Sequence, residues 1–302
     1  MPRSEKVGEH PLETLIQIGE RTFSETLQEK LTHIQAILRD MGSVVIGLSG
    51  GVDSTLLAKL AFDALDDRAM AVIGDSETFP EQELIEARDV AERIGIRWMS
   101  IPTHELAREE FANNSTERCY YCKTELYGKL GEVAHSMGYA WAIDGTQVDD
   151  LGDYRPGMKA GHENGVRSPF IEAGIGKAEI RMLSARLGLP TADKPSLACL
   201  SSRFPYGTRI TRENLSRIDK SEAFVRGLGF RQVRVRYHDE QTARIEIPRD
   251  EFPRMLDQKT MDAIVAQCNS QGFHHVTLDL KGYRTGSQNE AIAGWEGTTG
   301  AQ

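Results

Sequence analysis

The chain has 302 residues, of which 39% are hydrophobic and 27% are charged, a composition typical of a globular protein rather than a disordered one. Its net charge of −9 disfavours a nucleic-acid partner recognised through overall charge. No apolar stretch approaches the roughly 20 residues that span a bilayer, and the polar start lacks the apolar core of a signal peptide. We therefore expect a cytoplasmic protein with no membrane partner, and the length suggests two domains.

The hydrophobic pattern over the first two thirds of the chain predicts helices and strands in alternation. A helical lead-in, 1–42, has apolar residues at helical spacing and ends at Gly42. Because strands that alternate with helices form a parallel sheet covered on both faces, we predict a doubly wound, mostly parallel α/β domain over 43–203. Its strands are expected at 43–48, 69–74, 96–102 and 139–144, and its helices at 53–65, 81–94 and 122–137.

The pattern changes near residue 204, where alternating apolar residues indicate a hairpin with one buried face. We predict a smaller C-terminal α+β domain over 204–286. The last segment, 287–302, is rich in Gly, Ser, Thr and Gln and is predicted to be a flexible tail. In the smaller domain, helices are expected at 211–227 and 253–268, and strands at 231–237, 242–247 and 275–280.

A glycine-rich string, SGGVDS, joins the first predicted strand to the next helix. Gly50 and Gly51 let the backbone turn tightly and approach an anion, and the helix start offers free N–H groups and a positive dipole end. The hydroxyls of Ser49 and Ser54 add donors, and Asp53 is a candidate Mg²⁺ ligand. A turn capped by Asp53 or Ser54 would explain two glycines, but not the complete string after a buried strand. The string is not a P-loop, because it lacks that motif's lysine.

The same string resembles the PP-loop of the N-type ATP pyrophosphatases, which include GMP, NAD and asparagine synthetases and tRNA thiolases. The resemblance implies that the loop, with Asp53 as a catalytic residue, holds the pyrophosphate of ATP. The nucleotide is cut between its α and β phosphates as a substrate oxygen becomes adenylated. It also implies that Ser76, after the second strand, and Gly145, after the fourth, lie near the adenosine. Turn formation is the alternative role for both residues.

Four cysteines are too few for a disulfide scaffold, but two of them, Cys119 and Cys122, form a C-x-x-C pair. In a reducing compartment this spacing favours a shared ligand or redox role over two inert thiols. Three chemistries remain open. They are a zinc site, a [4Fe–4S] cluster held by Cys119, Cys122 and Cys199 with one iron open, and a disulfide relay through Cys199. Cys268 lies in an apolar helical pattern and is predicted to be structural.

Six longer strings, spread from about Val44 to about Ser287, carry a more specific resemblance. They are GLSGGVDSTLLAKLA, ERCYYCKTELY, DGTQVDDLGDYRPG, VRSPFIEAGIGKAEIRMLSARLGLPTADKP, ACLSSRFPYGTRIT and VTLDLKGYRTGS. Together they resemble the LarE-type ATP-dependent sulfur transferases. That family makes thiocarboxylates for the nickel-pincer nucleotide, the cofactor of lactate racemase and related enzymes. The implied substrate is pyridinium-3,5-biscarboxylic acid mononucleotide, and the implied cofactors are ATP, Mg²⁺ and a [4Fe–4S] cluster.

The resemblance also implies roles for residues near the second domain. In members with one cysteine, the residue matching Cys199 gives up its own sulfur and becomes dehydroalanine, whereas members with three cysteines use a cluster that receives sulfide or another sulfur donor. Glu222 matches an active-site position of the family, and Arg203, which follows the Cys199 loop, is a second candidate catalytic residue with a guanidinium suited to phosphate. Arg234 and Arg236 alternate along one strand and so share a face, where they are implied to bind the substrate phosphate. A solvated strand face is the alternative for these two arginines.

Three other functions compete with sulfur transfer. A tRNA thiolase would need a basic surface, and an amidotransferase-type ligase that adds ammonia would not need the cysteines. A nucleotide-binding regulator would not need an intact SGGVDS string. In the string DDLGDYRPG, Asp150, Asp153 and Arg155 either line the cleft or hold a loop. The family resemblance further implies a homo-oligomer.

Overall fold

The structure is a computed structural model that describes most of the chain. Three predictions fall on residues outside the described part: the first ten residues of the lead-in, the pair Asp153 and Arg155, and the tail beyond Ser287. Among the described helices, none is long and apolar enough to cross a membrane. The described residues are 11–152, 156–195, 198–284 and 287, with side chains from residue 26 onward.

The first sheet has four parallel strands, in the order β3 (Arg97–Pro102), β2 (Ala69–Asp75), β1 (Val44–Gly47) and β4 (Trp141–Ile143). The inner strand β1 is buried over its first three residues, since Val44, Val45 and Ile46 each have no exposed surface. This burial on both faces explains why the strand is a continuous apolar run. In chain order the elements are α1 (Pro11–Met41), β1 (Val44–Gly47), α2 (Val52–Leu65), β2 (Ala69–Asp75), α3 (Glu81–Ile94), β3 (Arg97–Pro102), α4 (Glu109–Ala112), α5 (Arg118–Met137), β4 (Trp141–Ile143), α6 (Pro156–Glu163), α7 (Pro169–Glu172) and α8 (Lys177–Arg186).

Helices cover both faces of this sheet. Val44 and Ile46 point into a core that includes residues of α1, α2, α3 and α8, whereas Val45 points into a second core shared with α5 and α6. Alternate side chains of one strand thus supply two cores, as the pleat of a strand requires. The predicted doubly wound, parallel α/β fold is confirmed.

The second sheet is smaller and has three strands, in the order β5 (Arg234–Tyr237), β6 (Thr242–Glu246) and β7 (His275–Leu278). β5 and β6 are antiparallel, as the predicted hairpin requires, whereas β6 and β7 are parallel. The sheet packs on its helices through a core of its own, which includes the fully buried Cys268. The additional α+β unit is confirmed, and its boundaries at 204 and 286 remain a prediction. Its elements are α9 (Arg212–Gly227), β5 (Arg234–Tyr237), β6 (Thr242–Glu246), α10 (Phe252–Met255), α11 (Gln258–Ser270) and β7 (His275–Leu278).

The prediction of a single helix over 253–268 is wrong in one respect. The structure has two helices there, α10 (Phe252–Met255) and α11 (Gln258–Ser270). The side chain of Asp257 accepts a hydrogen bond from the backbone N–H of Thr260 and so begins a new helix. An aspartate in this capping role satisfies one of the free N–H groups at a helix start. The apolar spacing continues across the break, which is why periodicity alone does not reveal it.

Candidate active site

The SGGVDS loop lies between the end of β1 and the first residue of α2. Gly50 has a φ of +71°, and a Cβ placed there would lie 3.2 Å from the Cα of Ala87 on α3. The backbone N–H of Ser49 donates to the hydroxyl of Ser54 at 3.1 Å, and the two hydroxyls are also 3.1 Å apart. These contacts hold the loop against the start of α2, and a helix start is a general anion-binding position.

A cavity of about 460 Å³ opens in front of this loop at the carboxyl ends of the parallel strands, where α/β folds bind ligands. Ser49, Asp53 and Ser54 line it, as does Gly145 at the end of β4. A Cβ on Gly145 would lie 3.0 Å from the backbone nitrogen of Ser54, so glycine permits close contact with the loop. The structure therefore brings Gly145 and the loop together, as the sequence predicts.

Ser76 lies elsewhere, in a buried polar network behind the end of β2. Its hydroxyl donates to the carboxylate of Glu105 and lies 2.8 Å from the hydroxyl of Thr78. Thr78 also donates to Glu105, at 2.8 Å, and the sulfur of Cys122 lies 4.0 Å from the same oxygen. Ser76 does not line the cavity in front of the loop. Its position near the adenosine therefore remains a prediction.

The three predicted cysteine ligands come from two separate parts of the chain. Cys119, which lines the loop cavity, and Cys122 lie on the first turn of α5, while Cys199 directly precedes the 3₁₀ turn Leu200–Arg203. Burial raises the pKa of the Cys122 thiol well above its ordinary value, and Glu105 and Cys199 raise it further. Loss of solvent around the sulfur and the nearby Cys199 also raise the pKa of Cys119. Cys199 therefore acts electrostatically on both thiols of the C-x-x-C pair.

Three thiols are the donors that a protein supplies to a [4Fe–4S] cluster when one iron stays open, whereas a structural zinc site takes four ligands. All four cysteines are free. Within the described ranges, no three His, Cys, Asp or Glu side chains are grouped so that they could hold a metal ion. The three thiols match the cluster in donor chemistry and number, but the described side chains do not form a metal site, so the cluster remains a prediction.

Arg203 and Glu222 form a buried ion pair beside Cys199. The Arg203 Nη2 lies 2.6 Å from the Glu222 Oε1, and neither side chain is more than 1% exposed. Arg203 Nη1 also donates to the carbonyl oxygens of Ala198 and Cys199, at 2.7 and 3.0 Å. Burial raises the pKa of Glu222, but the guanidinium groups of Arg203, Arg226 and Arg234 together outweigh burial and lower this pKa. The ion pair therefore fixes the main chain at Cys199.

Arg234 and Arg236 of β5 are both buried, with 4% and 5% of their surface exposed, so the two side chains do not form a solvated strand face. Arg236 donates to the carbonyl oxygen of Ser202 at 2.8 Å and to Glu246 at 2.9 Å. Arg234 lines a second cavity, of about 700 Å³, between α3 and the second sheet. Burial and the nearby Arg203 lower the pKa of Arg234 to about 10. A buried arginine beside a second cation would be stabilised by an anion.

Comparison with known proteins identifies the family. Residues 25–125 match the NAD synthase family model. An uncharacterized protein of Synechocystis sp. is 42% identical over 88% of this chain and 99% of its own length. The pyridinium-3,5-bisthiocarboxylic acid mononucleotide synthase of Lactiplantibacillus plantarum is 38% identical over 88% of this chain and 96% of its own length. This chain belongs to the LarE-type ATP-dependent sulfur transferases. It is therefore an enzyme of the PP-loop class that uses ATP.

A tRNA thiolase is also similar to this LarE-type enzyme, but over a shorter length. The tRNA-specific 2-thiouridylase MnmA of Azorhizobium caulinodans is 31% identical over 50% of this chain and 48% of its own length. The similarity to the bisthiocarboxylic acid mononucleotide synthase covers nearly all of that protein. The comparison therefore favours the LarE-type family over the rival thiolase.

Two lysines that sequence reasoning missed stand at the PP-loop of this LarE-type enzyme. Lys177, at the start of α8, places its Nζ 2.6 Å from both carboxylate oxygens of Asp53. Lys194 donates to the carbonyl oxygen of Gly50 at 3.0 Å. The loop has no lysine within its own string, and these two come from more than 120 residues away along the chain. Their only sequence signal is that both lie inside the family string that ends in ADKP.

Proposed function

We propose that this enzyme adenylates a carboxylate of pyridinium-3,5-biscarboxylic acid mononucleotide and converts it to a thiocarboxylate. The observation that carries the proposal is the similarity over nearly the whole length of a synthase whose named product is the bisthiocarboxylic acid mononucleotide. The cavity in front of the PP-loop supports it, because this cavity joins an anion-binding loop to a candidate sulfur ligand, Cys119.

In the first step, a carboxylate oxygen of the substrate attacks the α-phosphorus of ATP, and pyrophosphate leaves as the bond between the α and β phosphates breaks. The PP-loop N–H groups and the hydroxyls of Ser49 and Ser54 would hold the leaving pyrophosphate. Asp53 would hold Mg²⁺, for which its carboxylate must exchange the Lys177 ammonium for the metal. The released Lys177 is then a second cation beside the pyrophosphate.

The substrate phosphate would bind at Arg234 and Arg236. Two observations support the placement at Arg234: burial and the nearby Arg203 lower its pKa although Glu222 opposes them, and it lies on the wall of the larger cavity, which Arg236 does not line. Glu83 lines both cavities, so the two spaces adjoin. A nucleotide whose phosphate lies in the larger cavity could therefore direct its carboxylate toward ATP in the smaller one.

In the second step, a sulfur nucleophile attacks the acyl carbon and AMP leaves. Cys119, Cys122 and Cys199 would hold the [4Fe–4S] cluster. When bound, such a cluster would supply sulfide from its open iron, so that the enzyme turns over repeatedly. The sacrificial route, in which Cys199 gives up its own sulfur, is the competing mechanism. Arg203 serves either route, because it holds the backbone of Cys199.

The test supplies ATP, Mg²⁺ and one candidate acceptor at a time to anaerobically purified enzyme, and measures pyrophosphate and thiolated product. We expect release of pyrophosphate only with the pyridinium dicarboxylate mononucleotide, and formation of its thiocarboxylate when sulfide is present. Asp53→Ala should abolish both while circular dichroism stays unchanged. The proposal is overturned if pyrophosphate release requires tRNA, or if ammonia rather than sulfide is incorporated. Normal turnover by Asp53→Ala would overturn the assigned role of the loop.

Two further properties belong to the same proposal. Four free cysteines suit a reducing compartment, and we place the reaction in the cytoplasm. We also propose that the enzyme works as a homo-oligomer, which light scattering of the purified protein would test directly.

A further inference from the structure

Arg118, the first residue of α5, is a buried cation whose described partners carry no negative charge. Only 4% of its surface is exposed. Its Nη1 donates to the side-chain oxygen of Asn114, and its guanidinium carbon lies 5.1 Å from the centre of the Tyr206 ring. Within the described part of the chain, its buried Nε has no hydrogen-bond partner. Because buried charges are normally paired, this unpaired guanidinium points to an anion that the site receives.

Asn114 fixes the position of this charge. The residue is fully buried and has a φ of +53°, a left-handed conformation that asparagine tolerates better than most residues. Its Nδ2 donates to the carbonyl oxygen of Pro205 at 2.7 Å, and its own carbonyl oxygen accepts the backbone N–H of Gly207 at 3.0 Å. Asn114 thus ties the start of α5 to the segment that follows the 3₁₀ turn Leu200–Arg203.

The Arg118 charge lies beside the sulfur of Cys119. Loss of solvent around this sulfur and the nearby Cys199 raise the pKa of Cys119, whereas Arg118 opposes them by its charge and by a hydrogen bond. Lys123, one turn further along α5, acts in the same direction as Arg118 and lines the loop cavity together with Cys119. Burial raises the pKa of Tyr206, Arg118 lowers it, and both Cys119 and Cys199 raise it. The two cations therefore favour negative charge at the Cys119 side of the cavity.

We propose that Arg118 makes the Cys119 side of the loop cavity a binding site for a small sulfur anion, hydrosulfide. The inference rests on the proposed function, in which sulfide is the sulfur source, and deepens it by naming the residue that attracts this anion. Cys119 lines the cavity in front of the PP-loop and Arg118 does not, so the charge acts on an anion beside Cys119 rather than on the phosphates of ATP. A positive charge in a poorly solvated wall raises the local concentration of anions.

The test compares two alkylating reagents on cluster-free enzyme, the anionic iodoacetate and the neutral iodoacetamide. In both reactions the thiolate sulfur bonds to the reagent's carbon and iodide leaves, so the amount of thiolate cancels in the ratio of the two rates. We expect Arg118→Gln to lower the ratio of iodoacetate to iodoacetamide rates at Cys119 about fivefold, the factor that one unit charge at about 4 Å produces in water. Arg118→Lys keeps the charge and should retain most of the ratio. Peptide mass spectrometry measures each rate.

The matched control is Arg108→Gln, because Arg108 also lies over a tyrosine ring, at 5.7 Å from the centre of Tyr121. This variant should leave the ratio at Cys119 unchanged. Asn114→Asp is a second, independent variant, which keeps Arg118 but gives it a carboxylate partner, and it should lower the ratio in the same way. If Arg118→Gln opens the fold, which reaction of the fully buried Cys268 would reveal, Asn114→Asp decides the outcome.

A kinetic measurement connects the anion site to the reaction. With ATP, Mg²⁺, the pyridinium mononucleotide and sodium sulfide, Arg118→Gln should raise the sulfide concentration that gives the half-maximal rate of thiocarboxylate formation about fivefold, and ATP affinity should stay unchanged. If wild-type enzyme releases no pyrophosphate with this substrate, the proposed function fails, and the ratio of alkylation rates alone decides whether the anion site exists. An unchanged ratio in both Arg118→Gln and Asn114→Asp overturns the inference. So does an equal loss in Arg118→Lys and Arg118→Gln, because the side-chain shape rather than the charge would then be responsible.

Discussion

Glu222 gathers three arginines around one buried carboxylate. It accepts hydrogen bonds from Arg203 and Arg226, lies 3.9 Å from Arg234, and also accepts the backbone N–H of Val235 at 3.0 Å. A buried charge is tolerated only when it is paired and hydrogen-bonded, and here both conditions are met. The carboxylate thereby links the Cys199 segment, α9 and β5.

We expect Glu222→Gln to destabilise the protein strongly. The substitution keeps the side-chain shape but leaves the guanidinium of Arg203 buried without a counter-charge, which costs about 3–5 kcal/mol. Urea denaturation monitored by circular dichroism measures the change in the free energy of unfolding. The control is Glu109→Gln, which breaks an exposed pair with Arg209 and should cost little, because solvent screens that pair. Equal losses in the two variants would contradict this account.

The same carboxyl makes stability depend on pH at the acidic end. Its folded-state pKa is lowered from 4.5, since the arginines outweigh the effect of burial. The unfolded state therefore binds its proton at a higher pH than the folded state does. The contribution to stability is fully present above about pH 4.5 and is lost as the pH falls through the lowered folded pKa. Urea midpoints measured between pH 7 and pH 3 should fall less steeply for Glu222→Gln than for wild type.

At the scale of elements, the strand–loop–helix unit depends on one backbone conformation. Gly50 combines a φ of +71° with a contact of 3.2 Å between its would-be Cβ and the Cα of Ala87. We expect Gly50→Ala to cost about 1–2 kcal/mol and to weaken ATP binding, measured by calorimetry. Gly131→Ala is the matched control, because that glycine lies inside α5 with no atom near a would-be Cβ, and alanine there should be neutral or stabilising. Unaltered ATP affinity in Gly50→Ala would contradict the assigned role of the loop.

The arginines of β5 give a second prediction for an element. Arg234→Ala and Arg236→Ala should each weaken binding of the nucleotide substrate about tenfold or more, since a charge-assisted hydrogen bond contributes about 1.5–3 kcal/mol. ATP affinity should change little. Arg244→Ala is the control, because Arg244 lies on the neighbouring strand and pairs with the same Glu246 at 3.2 Å, yet is 32% exposed. If all three variants lose ATP and substrate affinity equally, the cause is a folding defect rather than a lost phosphate site.

At the scale of the whole molecule, the predicted cysteine set draws on two distant parts of the chain, α5 and the residue before the 3₁₀ turn Leu200–Arg203. We expect Cys119→Ala, Cys122→Ala and Cys199→Ala each to lose the iron and labile sulfide that wild-type protein takes up on anaerobic reconstitution. Cys268→Ala should retain both, since its thiol lies in the core of the second sheet. Iron content, sulfide content and visible absorption measure the outcome. Loss of one sulfur from Cys199, with dehydroalanine left behind, would refute the cluster and restore the sacrificial route.

The sequence alone determines the order of helices and strands, the parallel class of the sheet, the PP-loop and the C-x-x-C pair. These features are local, because periodicity reports burial and a motif consists of neighbouring residues. One local feature, a break within a predicted helix, was not predicted from the sequence. The capping aspartate at Asp257 divides a helix whose apolar spacing continues across the break.

Only the tertiary structure decides which distant side chains meet. Lys177 and Lys194 reach the PP-loop across 124 and 144 positions, and nothing in their own neighbourhood marks them as partners of Asp53 and Gly50. Ser76 ends a strand beside the loop, yet its hydroxyl points into a buried network instead of the cavity. Such pairings follow from the packing of helices on the sheet. Packing depends on the whole chain, so a short stretch of sequence does not show which distant side chains come into contact.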